Sequence, residues 1–405
     1  MPTFFAPHPI DASALVHLAV HTPTHSNLFR LEVQLRSAVQ PGRLQRAADV
    51  VAARFPMLAA GIRKQGNQFV VFPRPEHLYV RVDRQFLATM TTAELQSCAM
   101  RVLYGPRHIA VEFFHSLTDG AGGLQFLNAL LAEYWELPAE IVPGPEAWED
   151  SFAKHAGWNP FSLPGGTSYL LPAAPQEAGP LHRTTLTFSV EELRARARAE
   201  HTTLTAFFTA LFAQTAMELQ RAETAPGNPL LPVQLMVPID LRKRFASASL
   251  RNFSLYALPK LPPKAAAAPF SEILESISAQ VQAQNAYSRL RTAISTTAAL
   301  NQKAAALPLW LKCAALRAGF ELCGGRSSCI TVSNLGQVTF PERILQEVTQ
   351  LDFLLTPRLH SPYNCGILSL GDTLRLTITR RGSERGVEKC FLAHLAQQGV
   401  AFTVS

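Results

Sequence analysis

Apolar residues in the first third of the chain fall into two rhythms, one suited to strands and one to helices. Leu28, Leu31, Val33, Leu35 and Val39 come close to alternation and predict a strand over 27–39. Pro41 then opens a stretch with Leu44, Ala47, Ala48 and Val51 at helical spacing, which stops at Arg54-Phe55-Pro56. The segment 58–72 reads as a hairpin turning at Gln65-Gly66-Asn67. A short helix over 92–100, a strand of strong β-formers over 108–114 and a helix over 123–135 follow. Strands and helices alternate throughout, which predicts mixed α/β layers.

The texture changes between 138 and 180, where eight prolines and five glycines fall in 43 residues without a sustained period. This irregular crossing is the expected boundary between residues 1–175 and residues 176–405. Beyond it, Ser189-Val190-Glu191-Glu192 has the form of a capping box at a helix start. Leu204, Phe207, Phe208, Leu211 and Phe212 predict one side of a helix over 203–221. Strands are expected at 233–239 and 253–258, then one long helix over 271–300 carrying Ile273, Ile277 and Val281. Four later strands (330–333, 351–355, 365–370, 374–379) and a helix over 383–397 repeat the α/β texture of the first half.

Composition narrows the class. The chain has 405 residues, 47% apolar and 17% charged, which suits a large folded core and excludes a disordered chain. No apolar run reaches the ~18 residues of a membrane span. Residues 1–20 lack a basic start and are broken by Pro2, Pro7, Pro9, Asp11 and His17, so no secretory signal is expected and the expected location is the cytoplasm. The net charge of +7 is mild, and its one short cluster, Arg242-Lys243-Arg244 with Arg251 nearby, suits a small anion or a solvated loop better than nucleic acid. Cys98, Cys313, Cys323, Cys329, Cys365 and Cys390 contain no C-x-x-C pair, so they read as small core side chains, and no bound metal is expected.

The segment that carries chemistry is Val111-Glu112-Phe113-Phe114-His115-Ser116-Leu117-Thr118-Asp119-Gly120. A strand delivers His115 at its carboxyl end, where open sheets form crevices, and a helix follows the turn. Histidine accepts and returns a proton near neutral pH. Asp119 lies four residues on, facing either the imidazole or a cation behind the turn, and Gly120 removes a Cβ where the chain bends or another backbone comes close. No G-x-S-x-G, phosphate-loop or dinucleotide signature accompanies it.

His115-Ser-Leu-Thr-Asp119-Gly120, with Phe113-Phe114 before it and an amphipathic helix after it, resembles the active-site motif of the chloramphenicol-acetyltransferase-like superfamily. That group holds alcohol O-acyltransferases, plant BAHD acyltransferases, polyketide-associated acyltransferases and nonribosomal-peptide condensation domains. Val237-Pro238-Ile239-Asp240-Leu241-Arg242, leading to Arg251-Asn252-Phe253, is similar to a mid-chain strand pair of the bacterial alcohol-acetyltransferase-like branch. Thr331-Val332-Ser333-Asn334-Leu335-Gly336 is similar to its later Ser-Asn strand. Condensation domains usually place a second histidine where this chain has Phe114, and the D-F-G-W-G of the plant branch is absent, which leaves the freestanding bacterial branch.

The resemblance implies two α/β lobes, residues 1–175 with the motif and residues 176–405 completing a tunnel between them. It implies that His115 is a general base taking a proton from a hydroxyl or amine as it attacks a thioester, with acyl-CoA as donor and no bound cofactor. It further implies that Asp119 pairs with an arginine of the other lobe, Arg242 first and Arg251 second, with Gly120 as motif support. Ser333, Asn334 and Asn252 are the implied oxyanion or tunnel-wall candidates. A carrier-protein-dependent condensation or release enzyme is the first alternative, and a catalytically silent binding protein of the same fold is the second. His17, His21 and His25, spaced by four, are read as a strand near the tunnel mouth rather than a metal triad. Cys98, Cys323 or Cys329 as an acyl-carrying nucleophile would need an activating base.

Overall fold

The computed structural model describes residues 6–137, 149–157, 167–172, 181–320, 327–358 and 361–405. Two five-stranded sheets organise it. In the first, the strands run in the order Val348–Leu355, Leu28–Leu35, His108–Phe114, Met100–Tyr104 and Val80–Val82, antiparallel except for the last pair. In the second the order is Thr331–Val338, Tyr363–Leu370, Thr373–Arg381, Leu181–Ser189 and Thr403–Val404, with only the first pair parallel. The predicted hairpin forms from Ala60–Gln65 and Gln68–Pro73. Two short antiparallel pairs, one joining Val237–Asp240 to Ser254–Ala257, complete the sheets.

The mixed α/β reading holds, with several elements the hydrophobic pattern did not announce. Leu181–Ser189 was not predicted because its buried positions include Thr184 and Thr185, which look polar in sequence but suit a pleated surface. The long helix expected over 271–300 is two helices, Phe270–Gln284 and Tyr287–Ala304. Their apolar stripes serve different cores: Ile273, Leu274 and Ile277 join the main core of the second half, whereas Leu290 and Ile294 pack with Phe152 and Phe253. Of the three histidines expected on a strand near the start, His17 lies instead on a helix, Ala12–Ala19, and His21 and His25 follow it; the helix's first turn is capped by Asp11 through the Ala14 N–H at 2.8 Å. Most of the expected 138–180 crossing lies outside the described residues.

One strand crosses between the halves. Val348–Leu355 pairs along its length with Leu28–Leu35, so the first sheet takes an outer strand from late in the chain. Leu28–Leu35 is therefore buried on both faces, and its polar residues are paired instead of solvated. Arg30, 1% exposed, bonds Glu32 at 2.6 Å and Glu112 at 2.9 Å, while Arg101 reaches Glu112 at 3.1 Å. Arg183, from the second sheet, reaches Glu32 at 3.2 Å. These bonds hold together the strands that lead into His115. No described helix is long and apolar enough to cross a membrane.

Candidate active site

The strand His108–Phe114 and the helix Gly120–Tyr134 bracket a five-residue turn from His115 to Asp119. The turn is pinned from several sides. The Ser116 hydroxyl donates to the Ala14 carbonyl at 2.8 Å, and the Thr118 hydroxyl donates to the Leu250 carbonyl at 2.6 Å. Gly122 is required by close approach, since a Cβ there would sit 2.6 Å from the same Leu250 oxygen. A Cβ on Gly120 would press on the Leu335 side chain.

Asp119 caps the helix through the Gly122 N–H at 3.3 Å and faces the second half of the chain. Its other oxygen accepts from Arg242 at 2.8 Å and from the Phe253 N–H at 2.9 Å. Arg242 also donates to Asp240 at 3.1 Å and to the backbone carbonyls of Ser249 and Arg251. Arg242, not Arg251, is therefore the partner of Asp119. Arg251 pairs instead with Asp11 at 3.1 Å and donates to the Pro9 carbonyl at 2.9 Å, which ties down the helix Ala12–Ala19.

Asn252 lies against His115 through both ends of its amide. Its Nδ2 donates to the His115 carbonyl, so its Oδ1 faces the ring and accepts from Nδ1 at 3.0 Å. That network places the ring proton on Nδ1 and leaves the Nε2 lone pair open. Burial pushes the His115 imidazolium below the usual histidine range, against the opposing pull of its own carbonyl, Asp119 and Asn252. The ring is therefore neutral at pH 7 and able to accept a proton.

A second imidazole lies against the first. The His17 ring stacks on His115 with centroids 4.7 Å apart and planes 17° from parallel, while Phe29 meets His115 edge-on at 5.3 Å. The Asn27 Nδ2 donates to His17 Nδ1 at 2.6 Å. Burial, followed by the nearby His115 charge, holds the His17 imidazolium well below the usual range. His21 and His25 do not join it: His21 bonds Ser26 and packs edge-on against Phe114, and His25 is buried.

Both rings line a cavity of about 360 Å³ between the two halves, within the range of small-molecule sites. The first half contributes His17, Asn27, His115 and Leu124. The second contributes Pro238, Lys243, Tyr256, Ser333, Thr356 and Arg358 among others. Ser333, on the strand Thr331–Val338, borders this space. Asn334 borders it too, but its amide is committed, donating to Thr205 at 3.0 Å and accepting from the Gly336 N–H at 2.8 Å across a bulge in the strand. The basic cluster divides: Arg242 turns inward to its carboxylates, Lys243 stands exposed at the cavity, and Arg244 faces solvent.

The cysteines take no visible part. Burial pushes the Cys98 thiol up to about 11 and Cys329 up to about 12, so neither is a ready thiolate. Cys323 lies outside the described residues. Among the described residues, one trio has metal-ligand donors close together, Glu218, Cys390 and His394, none of which lines the cavity. Sequence reasoning did not find Asn27, Tyr256, Thr356 or Arg358, since nothing in their neighbours marks them. It noticed His17 but not where the ring points.

No protein-family model matches the chain, and no curated protein matches it by sequence. Solved structures do. TRI101 of F. sporotrichioides, complexed with coenzyme A and T-2, is similar over 98% of this chain and 99% of its own, with a TM-score of 0.66 and 12% identity. TRI3 trichothecene 15-O-acetyltransferase from Fusarium sporotrichioides is similar over 96% of this chain and 93% of its own (TM-score 0.62, 10% identity). The condensation domain of the monacolin K polyketide synthase MokA is similar over 97% and 96% (TM-score 0.62, 13% identity). Likeness at such low identity speaks to architecture, and on that footing this chain has the two-lobed chloramphenicol-acetyltransferase-like fold, shared with these acetyltransferase and condensation-domain structures.

Proposed function

We propose that the chain is an acyltransferase that moves an acyl group from a thioester to a hydroxyl or amine, with His115 as the general base. The observation that carries this reading is the His115 ring itself, its Nδ1 tied to Asn252 and its Nε2 left open, in a cavity lined by both halves. Thioester alcoholysis or aminolysis needs two reactants held together and one group to take a proton, and a base so placed contributes ~10²–10⁴-fold. Coenzyme A in the TRI101 structure supports an acyl-CoA donor here. Asp119 and Arg242 are positioning residues: their ion pair joins the His115 turn to the 240–253 segment that brings Asn252 to the ring. Ser333 and Lys243, at the cavity wall, are the proposed contacts for the reacting carbonyl and the donor's phosphates respectively.

Thiol release from acetyl-CoA in the presence of a panel of primary alcohols and amines tests the reading. His115→Ala is expected to abolish acceptor-dependent release while the circular dichroism spectrum is unchanged. Unaltered turnover in that variant ends the proposal. Repeating the assay with an acylated carrier protein separates a coenzyme A donor from a carrier-borne one.

A further inference from the structure

We propose that His17 is a second catalytic residue, an N–H donor to the thioester carbonyl oxygen as that oxygen takes on charge. This rests on the acyl-transfer reading of the same cavity.

The two stacked imidazoles are held in opposite tautomers by two asparagines. Asn252 Oδ1 accepts from His115 Nδ1, which puts that ring's lone pair on Nε2. Asn27 Nδ2 donates to His17 Nδ1, which puts that ring's proton on Nε2. No described residue is hydrogen-bonded to His17 Nε2, and both rings border the same space. Side by side, one ring therefore presents an acceptor and its neighbour a donor, at a centroid separation of 4.7 Å.

An acceptor and a donor so placed serve the two ends of acyl transfer. The acceptor's oxygen or nitrogen attacks the thioester carbon and passes its proton to His115 Nε2, while the carbonyl oxygen becomes an oxyanion and accepts from His17 Nε2–H. Collapse re-forms the C=O bond and breaks the C–S bond, and the proton on His115 moves to the departing sulfur. His17 keeps its own proton throughout. Because its ring resists protonation beside His115, the positive charge of the intermediate stays on the base. Fixed donors of this kind act where charge develops, and removing one costs ~10²–10³-fold in kcat. Of the three sequence candidates for this task, Asn334 has its amide on Thr205 and Gly336 and Asn252 has its amide on His115, while Ser333 borders the cavity and can share the oxygen with His17.

The helix that carries His17 is fastened for the purpose. Arg251 holds its capping residue Asp11, the Ser116 hydroxyl reaches its Ala14 carbonyl, and Arg317 donates to the Ala19 carbonyl at 2.8 Å.

The test has two arms on the full chain. Long-range ¹⁵N–¹H spectra of ¹⁵N-histidine-labelled protein at pH 7.5 read the tautomers directly, with peaks assigned from His17→Phe and His115→Ala. The expected result is a proton on Nε2 of His17 and on Nδ1 of His115, and a proton on Nδ1 of His17 overturns the inference. In the second arm, acetyl-CoA and acetyl-N-acetylcysteamine serve as donors with the alcohol and amine panel. His17→Phe keeps the stacked ring but loses the donor and is expected to lower kcat by ~10²-fold with KM unchanged. His17→Gln, which keeps an N–H, is expected to recover a measurable part of that loss. A His17→Phe enzyme with kcat within threefold of the parent overturns the inference even where His115→Ala is dead. A fully active His115→Ala enzyme overturns the acyl-transfer reading instead.

Discussion

Replacing Asn252 with alanine removes the acceptor that keeps the His115 proton on Nδ1. The ring is then free to take the other tautomer, and kcat is expected to fall by ~10²-fold with the fold retained, as checked by thiol release and circular dichroism. The pH profile follows from the same ring. A protonated imidazole has no lone pair, and burial lowers the pH at which His115 gains its proton. The acid limb of kcat/KM should therefore have its midpoint below pH 6.5, with a plateau through pH 7–8; a midpoint above pH 7 contradicts it. Asp119→Ala strands Arg242 among buried groups, and breaking such a pair costs ~3–5 kcal/mol. Asp240, still 3.1 Å from Arg242, brings the expected loss in denaturant unfolding to the lower end. His115, Asp119, Gly120 and Arg242 were legible as candidates because a short motif and the Arg-bearing segment 237–242 mark them. The approach of His17 was not, because it depends on a helix packing against a strand end 98 residues later, and no local pattern encodes that contact.

Elements were legible where one face is apolar and the other polar. The helix Pro41–Arg54 and the hairpin at Gly66 meet that condition and fall close to their expected bounds, while Leu204–Glu223, buried on all sides from Ala206 to Ala213, was legible from its length and apolar content. It fails for Leu181–Ser189, whose buried threonines read as solvent-facing, and for the 270–304 helices, whose two stripes merge into one apparent period. The helix Gly120–Tyr134 offers a test at this scale. Gly122→Ala forces a methyl against the Leu250 carbonyl. Overpacking of this kind costs ~1–3 kcal/mol, and here it also pushes the His115 turn away from the segment that carries Asn252. A lowered melting temperature together with a lowered kcat is the expected outcome, and a loss of stability with full activity would separate the two.

At the scale of the molecule, the sequence suggested a division near residue 175, whereas the first sheet is completed by Val348–Leu355. Strand partners so distant in sequence carry no local signal, and a late apolar run reads equally well as part of either sheet. A fragment of residues 1–175 is expected to aggregate, because it leaves the backbone of Leu28–Leu35 as a bare sheet edge. Size-exclusion chromatography of the fragment checks this, and a monomeric, cooperatively folded product would refute it. The same strand sets a timetable. While the polypeptide is being made, the strand Leu28–Leu35 must wait for more than three hundred further residues before its outer neighbour leaves the ribosome. Newborn chains should consequently lean on holding chaperones until Val348–Leu355 has been made, and pair the first sheet only then.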